Sequence, residues 1–254
     1  MDETPLIRVE NLTAGYGRDV ILKDVSFTVS PGEIFGVIGG SGSGKSTLLK
    51  TMIGLERAMS GRVFIAGSDV SSFGGAVFFP AMKKIGVLFQ GGALISSMTI
   101  AENVALPIYE HSDLPKKHAP DMARMKLRMV GLEGFEDFFP SQLSGGMRKR
   151  AALARAMALS PDILFLDEPT AGLDPVSAAE IDALIRRVNH LMGTTVVMIT
   201  HDLDSVFSMA RRAAMLDKKK KGFIARGDPK ELMSRRDPPE VARFFNRKQG
   251  SGEN

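Results

Sequence analysis

Short runs of β-branched, leucine and aromatic residues alternate along the chain with longer stretches in which apolar residues recur every three or four positions. The runs IRVENL, VSFTV, EIFGVIG, RVFIAG, KIGVLF, DILFLD and TTVVMIT each predict a strand. DILFLD and TTVVMIT are almost wholly apolar, as strands covered on both faces of a parallel sheet are. Between them, Asp174 and Pro175 supply a cap and a first-turn proline. Ile181, Leu184, Ile185, Val188 and Leu191 then fall on one helix face. Strand, helix and strand in that order make a βαβ crossover, so the pattern predicts an α/β core.

From about Gly91 to Ser160 the strand pattern lapses. ENVALPIY, DMARMKLRMV and MRKRAALARAMAL read as helices, which predicts an α-helical subdomain over about 91–160, inserted into the α/β core. Met122, Met125 and Met129 recur at helical spacing and are expected in the core, the other reading being a groove for a partner helix. The division is a main domain over 1–227 and an extension over 228–254, made of two short helical pieces and a tail ending GSGEN that is expected to fray.

Composition narrows the chemistry. Of 254 residues 44% are hydrophobic and 24% charged, the balance of a globular protein with a real core. Cysteine is absent and histidine occurs four times, which excludes a disulfide framework and a cysteine metal site. No stretch nears the roughly 20 apolar residues that cross a bilayer. The amino terminus MDETPLIRVE is acidic where a secretory signal is basic, so the expected compartment is the cytoplasm. The net charge of +4 sits in clusters such as Lys218 to Lys221 and Arg235 with Arg236, which read as solvated turns and not as a nucleic-acid contact.

Three motifs carry the chemistry. Gly39, Gly40, Ser41, Gly42, Ser43, Gly44, Lys45 and Ser46 fit GxxxxGK[ST] between the apolar strand IFGVI and the helical run TLLKTMIGL. In such a loop successive N–H groups turn toward a phosphate and the helix N-terminus faces the same anion. Lys45 would reach the β- and γ-phosphates of ATP, and the Ser46 hydroxyl would ligate Mg2+. ILFLDE ends a buried strand in two carboxylates: Asp167 suits the metal shell, and Glu168 suits the polarisation of a water for in-line attack. In LSGGMRKR, Ser144 followed by Gly145 and Gly146 opens a long helix with uncovered N–H groups, which reads either as a second anion site or as a plain capped helix.

Gly39 to Thr47, LSGGM, ILFLDE, AGLD and ITHD stand in the order seen in ATP-binding-cassette ATPases, which the chain resembles over nearly its whole length. The resemblance implies a P-loop NTPase (RecA-like) core, an antiparallel β subdomain and the inserted helical subdomain. It implies ATP hydrolysis by a homodimer in which Ser144, Gly145 and Gly146 of one chain meet the γ-phosphate bound by the other, with Asp174 crossing the interface. It also implies that Tyr16 stacks on adenine, that Gln90 links metal and water to the membrane partner, and that His201 holds the γ-phosphate. His111, His118 and His190 are assigned no chemistry.

Within the family, QGGALISSMTIAENVALP after Gln90, methionine at position 147 and the ending DPPEVARFF resemble the lipid-transporting branch associated with MCE proteins. That resemblance implies a permease dimer, an MCE-domain protein, a STAS-domain partner and a phospholipid cargo. The chain is then peripheral, on the cytoplasmic face of a bacterial inner membrane. The alternatives are an importer ATPase for a small solute and a soluble cassette ATPase; the latter is disfavoured by the single cassette and the lack of a coiled-coil insertion. DKKKKG in place of a short hairpin, and the glycine-rich SSFGGAVFFPAM, depart from the family pattern. Val241, Phe244 and Phe245 line one side of a short carboxy-terminal helix, which is expected to dock on the twin subunit or a STAS-like partner, the other reading being the chain's own domain.

Overall fold

The computed structural model describes residues 4–71 and 74–246. In chain order the elements are β1 (Ile7–Tyr16), β2 (Asp19–Val29), β3 (Ile34–Gly39), α1 (Lys45–Met52), β4 (Ser60–Ile65), β5 (Ser68–Asp69), α2 (Phe78–Met82) and β6 (Ile85–Leu88). They continue with α3 (Ile100–His111), α4 (Ala119–Met129), α5 (Gly145–Ala156), β7 (Ile163–Asp167), α6 (Pro175–Met192), β8 (Thr195–Ile199) and α7 (Leu203–Met209). The chain closes with β9 (Arg212–Asp217), β10 (Gly222–Gly227), α8 (Pro229–Ser234) and α9 (Pro239–Asn246). Two compact units result: residues up to Met82 with those from Thr195 on, and Lys83 to Thr194.

The first unit holds an antiparallel sheet in the order β2-β1-β4-β5. Its strands alternate because only one face is covered: Ile7, Val9, Leu12 and Ala14 of β1 and Leu22, Val25, Phe27 and Val29 of β2 are buried. A second set of strands runs β10-β9-β3-β8, with β3 parallel to both β8 and β9. All residues of β3 and β8 are buried, which is why these two read as unbroken apolar runs. β9 and β10 are not among the runs that predict strands: Ala213 to Leu216 of β9 are apolar and buried, but alanine favours strands little, and GFIARG is mixed. Their turn carries Lys218 to Lys221, all exposed, and Asp217 Oδ1 accepts from Lys219 N and Lys220 N to close it.

In the second unit β6 and β7 pair in parallel, and among its described residues only helices and loops lie between them. Helix α3 starts at a reciprocal cap, with Glu102 N donating to Thr99 Oγ1 and Thr99 N donating to Glu102 Oε2. Asn103 is fully buried and clasps the preceding loop, accepting from Ile95 N at 2.7 Å and donating to Ile95 O at 3.0 Å. Helix α5 presses on β6 so closely that a Cβ on Gly86 would stand 2.0 Å from Ala156 O, so only glycine fits there.

Three sequence expectations are corrected. The core face of α4 is Ala119, Ala123, Lys126 and Leu127; Met122 and Met129 are half-buried at its edges, and Met125, off that face, is 44% exposed. Leu191 is 69% exposed, since it lies in the last turn of α6, past the buried stripe that ends at Val188. Val241 and Phe245 of α9 are buried within their own unit, Phe245 at 6.0 Å from Phe207 of α7 between ring centroids. The chain's own surface, and not a partner's, thus covers that apolar face. The frayed-tail expectation, at 250–254, lies outside the described residues. In the 71–84 segment, Phe78 is buried and a Cβ on Gly54 would stand 2.4 Å from its ring, while Val77 and Phe79 are exposed.

Candidate functional site

The phosphate loop leaves the end of β3, the strand buried along its whole length, and runs into α1. Gly44, the N-cap residue, has φ 98°, and a Cβ there would meet Leu22 Cδ2 at 2.7 Å. Only glycine closes the loop at that point. Ser43 N donates to Gly40 O at 3.2 Å, and the buried Ser43 hydroxyl has no hydrogen-bond partner. Lys45 Nζ donates to Gly39 O at 2.8 Å and Gly40 O at 3.1 Å, which holds the ammonium over the loop. Gly40, Ser41, Gly42 and Ser46 are exposed, while Thr47 to Leu49 anchor α1 in the core.

Tyr16 ends β1 in the same unit, 44% exposed, with Thr47 Oγ1 at 3.5 Å from its hydroxyl and Lys50 Nζ at 5.9 Å from its ring centroid. The first unit therefore brings the aromatic candidate and the loop together. In the parallel register Val37 pairs with Ile199, so His201, two residues beyond, leaves β8 level with Gly39. Thr200 fixes the turn: its N–H donates to Val37 O and its hydroxyl accepts from Asp202 N at 2.9 Å. His201 is exposed at that turn.

In the second unit Leu88 of β6 pairs with Leu166 of β7, which brings Gln90 and Glu168 out level with each other. Glu168 is buried and its φ is 48°, the left-handed region that glutamate rarely adopts. Lys149 of α5, 7% exposed, donates to Gln90 O at 2.5 Å and to Glu168 O at 3.1 Å. Burial lowers the pKa of this ammonium from its ordinary value, while the charges of Asp167 and Glu168 pull it back up.

Ser144 caps α5 by accepting from Met147 N at 3.3 Å, and it is exposed at the helix N-terminus. A Cβ on Gly145 would lie 3.4 Å from Leu173 Cδ2, and one on Gly146 3.7 Å from Ser177 Cβ. Ser177 Oγ donates to Asp174 Oδ2 at 2.6 Å, so the four residues read as acting on another chain are neighbours here. Hydrogen bonds from the Ser177 hydroxyl and N–H, and from Val176 N, hold the Asp174 carboxyl below the usual carboxylate range against a small opposing effect of burial.

The hydroxyl of Ser46, the amide of Gln90 and the carboxylate of Asp167 are all oxygen donors, the set that magnesium takes. Only one carries charge, and among the described residues no three histidine or acidic side chains cluster. Each of Ser46, Gln90 and Asp167, taken by itself, is a donor that magnesium accepts.

The sequence profile of the ABC transporter family matches residues 22–171. The chain belongs to the ABC transporter family. This ABC chain carries the family's ATP-binding and ATP-hydrolysing cassette, on a P-loop NTPase fold. It is 40% identical to the intermembrane phospholipid transport system ATP-binding protein MlaF of Haemophilus influenzae over 232 residues, 91% of this chain and 87% of that protein. It is 38% identical over 240 residues to the probable ribonucleotide transport ATP-binding protein mkl of Mycobacterium tuberculosis, covering 94% of this chain and 66% of the relative, just under two thirds of its length. The solved post-hydrolysis dimer of the ATP-binding cassette MJ0796 with ADP and Pi superposes with a TM-score of 0.78 at 31% identity, over 88% of this chain and 98% of that one.

Sequence reading of this ABC cassette missed Lys149 and Asn103. Lys149 sits in the charged run MRKR, yet it shares a helical face with the buried Ala152 and Leu153. That phase was the available signal. Among the described residues no helix is long and apolar enough to cross a membrane.

Proposed function

We propose that this chain is the ATPase subunit of a phospholipid transporter. It acts as a homodimer on the cytoplasmic face of a bacterial inner membrane, with a permease dimer, an MCE-domain protein and a STAS-domain partner. The observation that carries the reading is the 40% identity over 87% of a phospholipid-system ATPase. The segment after Gln90, Met147 and the ending DPPEVARFF support it.

In this reading Tyr16 stacks on adenine, the loop from Gly39 to Thr47 receives the phosphates and Lys45 neutralises their β,γ charge. Glu168 accepts a proton from the water that attacks the γ-phosphorus in line. The bond from that phosphorus to the bridging oxygen breaks, leaving ADP and phosphate. The His201 imidazole holds the γ-phosphate oxygens. Ser46, Gln90 and Asp167 would hold Mg2+, which when bound supplies charge neutralisation at the β- and γ-phosphates. Ser144, Gly145 and Gly146 present the start of α5 to the other chain's γ-phosphate, and Asp174 lies beside them at the same interface.

The ATPase of a small-solute importer is the second reading, and the mycobacterial relative, named for ribonucleotide transport, favours a small solute as cargo. Purifying the chain with its membrane partners and identifying the bound cargo by mass spectrometry separates the two. Phospholipid retained by the complex, with ATPase activity raised in phospholipid vesicles, is the expected result. A complex that holds no lipid and responds only to a soluble solute contradicts the phospholipid reading.

A further inference from the structure

Helix α5 has two ends of different character. Its N-terminus, at Ser144, is exposed, while its later turns grip the strand ends of their own unit. Lys149 Nζ donates to Gln90 O and Glu168 O, and Arg155 of the same helix donates to Gly92 O at 3.0 Å and Ala93 O at 2.5 Å. A Cβ on Gly92 would stand 3.3 Å from Ala152 Cβ, so the loop after Gln90 lies along the helix between those two cations.

Lys149 lies within the field of the Asp167 and Glu168 carboxylates, and its own hydrogen bonds go to two main-chain carbonyls. They belong to the residues assigned to water activation and metal linkage. One ammonium can reach both because the β6–β7 register brings residues 90 and 168 out level. The Glu168 carbonyl also accepts from Ala171 N at 3.2 Å. Two donors thus fix a peptide whose left-handed backbone directs the glutamate side chain.

We infer that Lys149 is a positioning residue that ties the signature helix to the hydrolytic groups of its own chain, so that a shift of the Ser144 end is carried to Gln90 and Glu168 together. The inference rests on the proposed roles of Ser144, Gln90 and Glu168. Five residue steps lead from Ser144 to Lys149, about 7.5 Å along the axis, a short and stiff lever.

The test measures kcat, KM and ATP affinity in the full-length chain with Lys149→Met, Lys149→Gln and Lys149→Arg. Lys149→Met keeps length and loses the donors, so kcat should fall on the order of 10- to 100-fold while ATP affinity changes by less than about threefold. Lys149→Arg should restore most of kcat. Should Lys149→Met fail to fold, Lys149→Leu, which also lacks donors, is compared with Lys149→Arg in its place. A double-mutant cycle of Ser144→Ala with the donor-free variant probes the tie itself: the combined fall should be smaller than the product of the single ones. Independent, multiplying effects overturn the link. Wild-type kcat in the donor-free variant overturns the positioning role, as does a loss of thermal stability with kcat per folded molecule unchanged. Glu168→Gln run alongside separates the two layers, since a fully active Glu168→Gln means the assignment of the base has failed and not merely that of Lys149.

Discussion

Glu33 and Arg212, 179 positions apart, form a two-point ion pair: Arg212 Nε donates to Glu33 Oε1 at 2.6 Å and Arg212 Nη2 to Oε2 at 2.7 Å. Glu33 is buried and also accepts from Ser30 N at 2.9 Å, so the pair fastens the start of β3 to the start of β9. The hydrogen bonds that Arg212 donates to Glu33 raise the Arg212 pKa further above its already high value, against partial desolvation. Arg212→Leu leaves a buried carboxylate without its cation. It should cost about 2–3 kcal/mol, less than a fully buried pair because Arg212 is partly exposed. Calorimetry should show Tm lowered by roughly 5–10 °C. An unchanged Tm would mean that the pair is incidental.

Lys126 gives a prediction of opposite sign. It is buried in α4 with Nζ donating to Ser160 Oγ at 2.7 Å, and burial pushes its pKa below the ordinary 10.5. Between the lowered pKa and 10.5 the unfolded chain binds more protons than the folded one, so stability rises with pH through that window. Below it the folded state carries the full cost of the buried charge. Lys126→Met should therefore stabilise the protein at pH 7, by about 1 kcal/mol, and the advantage should shrink as pH climbs toward 10.5. Urea unfolding at pH 7 and pH 10 measures both, and a variant less stable than the parent at pH 7 contradicts the argument.

The adjacency of Gly146, Ser177 and Asp174 yields a test in mixed dimers. Combining a Lys45→Ala chain with a Ser144→Arg chain leaves one composite site with an intact loop and an intact signature. Trapping of labelled ATP should return in the mixture, up to half the wild-type amount per dimer, while either variant alone traps little. Equal trapping by strictly monomeric wild-type chain contradicts a site shared between two copies.

Strands and motifs were the legible part of this chain. β3 and β8 are buried along their lengths and β7 over its first four residues, so their apolar runs stand out, and the loop and the acidic pair follow directly on the ends of β3 and β7. β9 and β10 were missed because the buried run of β9 is half alanine, which signals a strand weakly, and GFIARG of β10 is mixed. Met125 and Leu191 were misread because spacing marks a stripe but not where along a helix the covering surface stops. The face of α9 with Val241 and Phe245 announces that something covers it, and only the fold says that the cover is the chain itself. The burial of Lys126 and Lys149 was not legible, since a sequence does not display the Ser160 hydroxyl or the Gln90 and Glu168 carbonyls that receive them.

The account turns on Glu168, held in a left-handed backbone beside Asp167 at the end of β7. Glu168→Gln keeps the side chain's shape and removes the carboxylate proposed to accept the water's proton. The decisive measurement is steady-state phosphate release by this variant, paired with its equilibrium ATP affinity. Turnover should fall by at least about 100-fold with ATP affinity unchanged or tighter, whereas Lys45→Ala should weaken ATP binding itself. Phosphate release at the wild-type rate by Glu168→Gln would contradict the account.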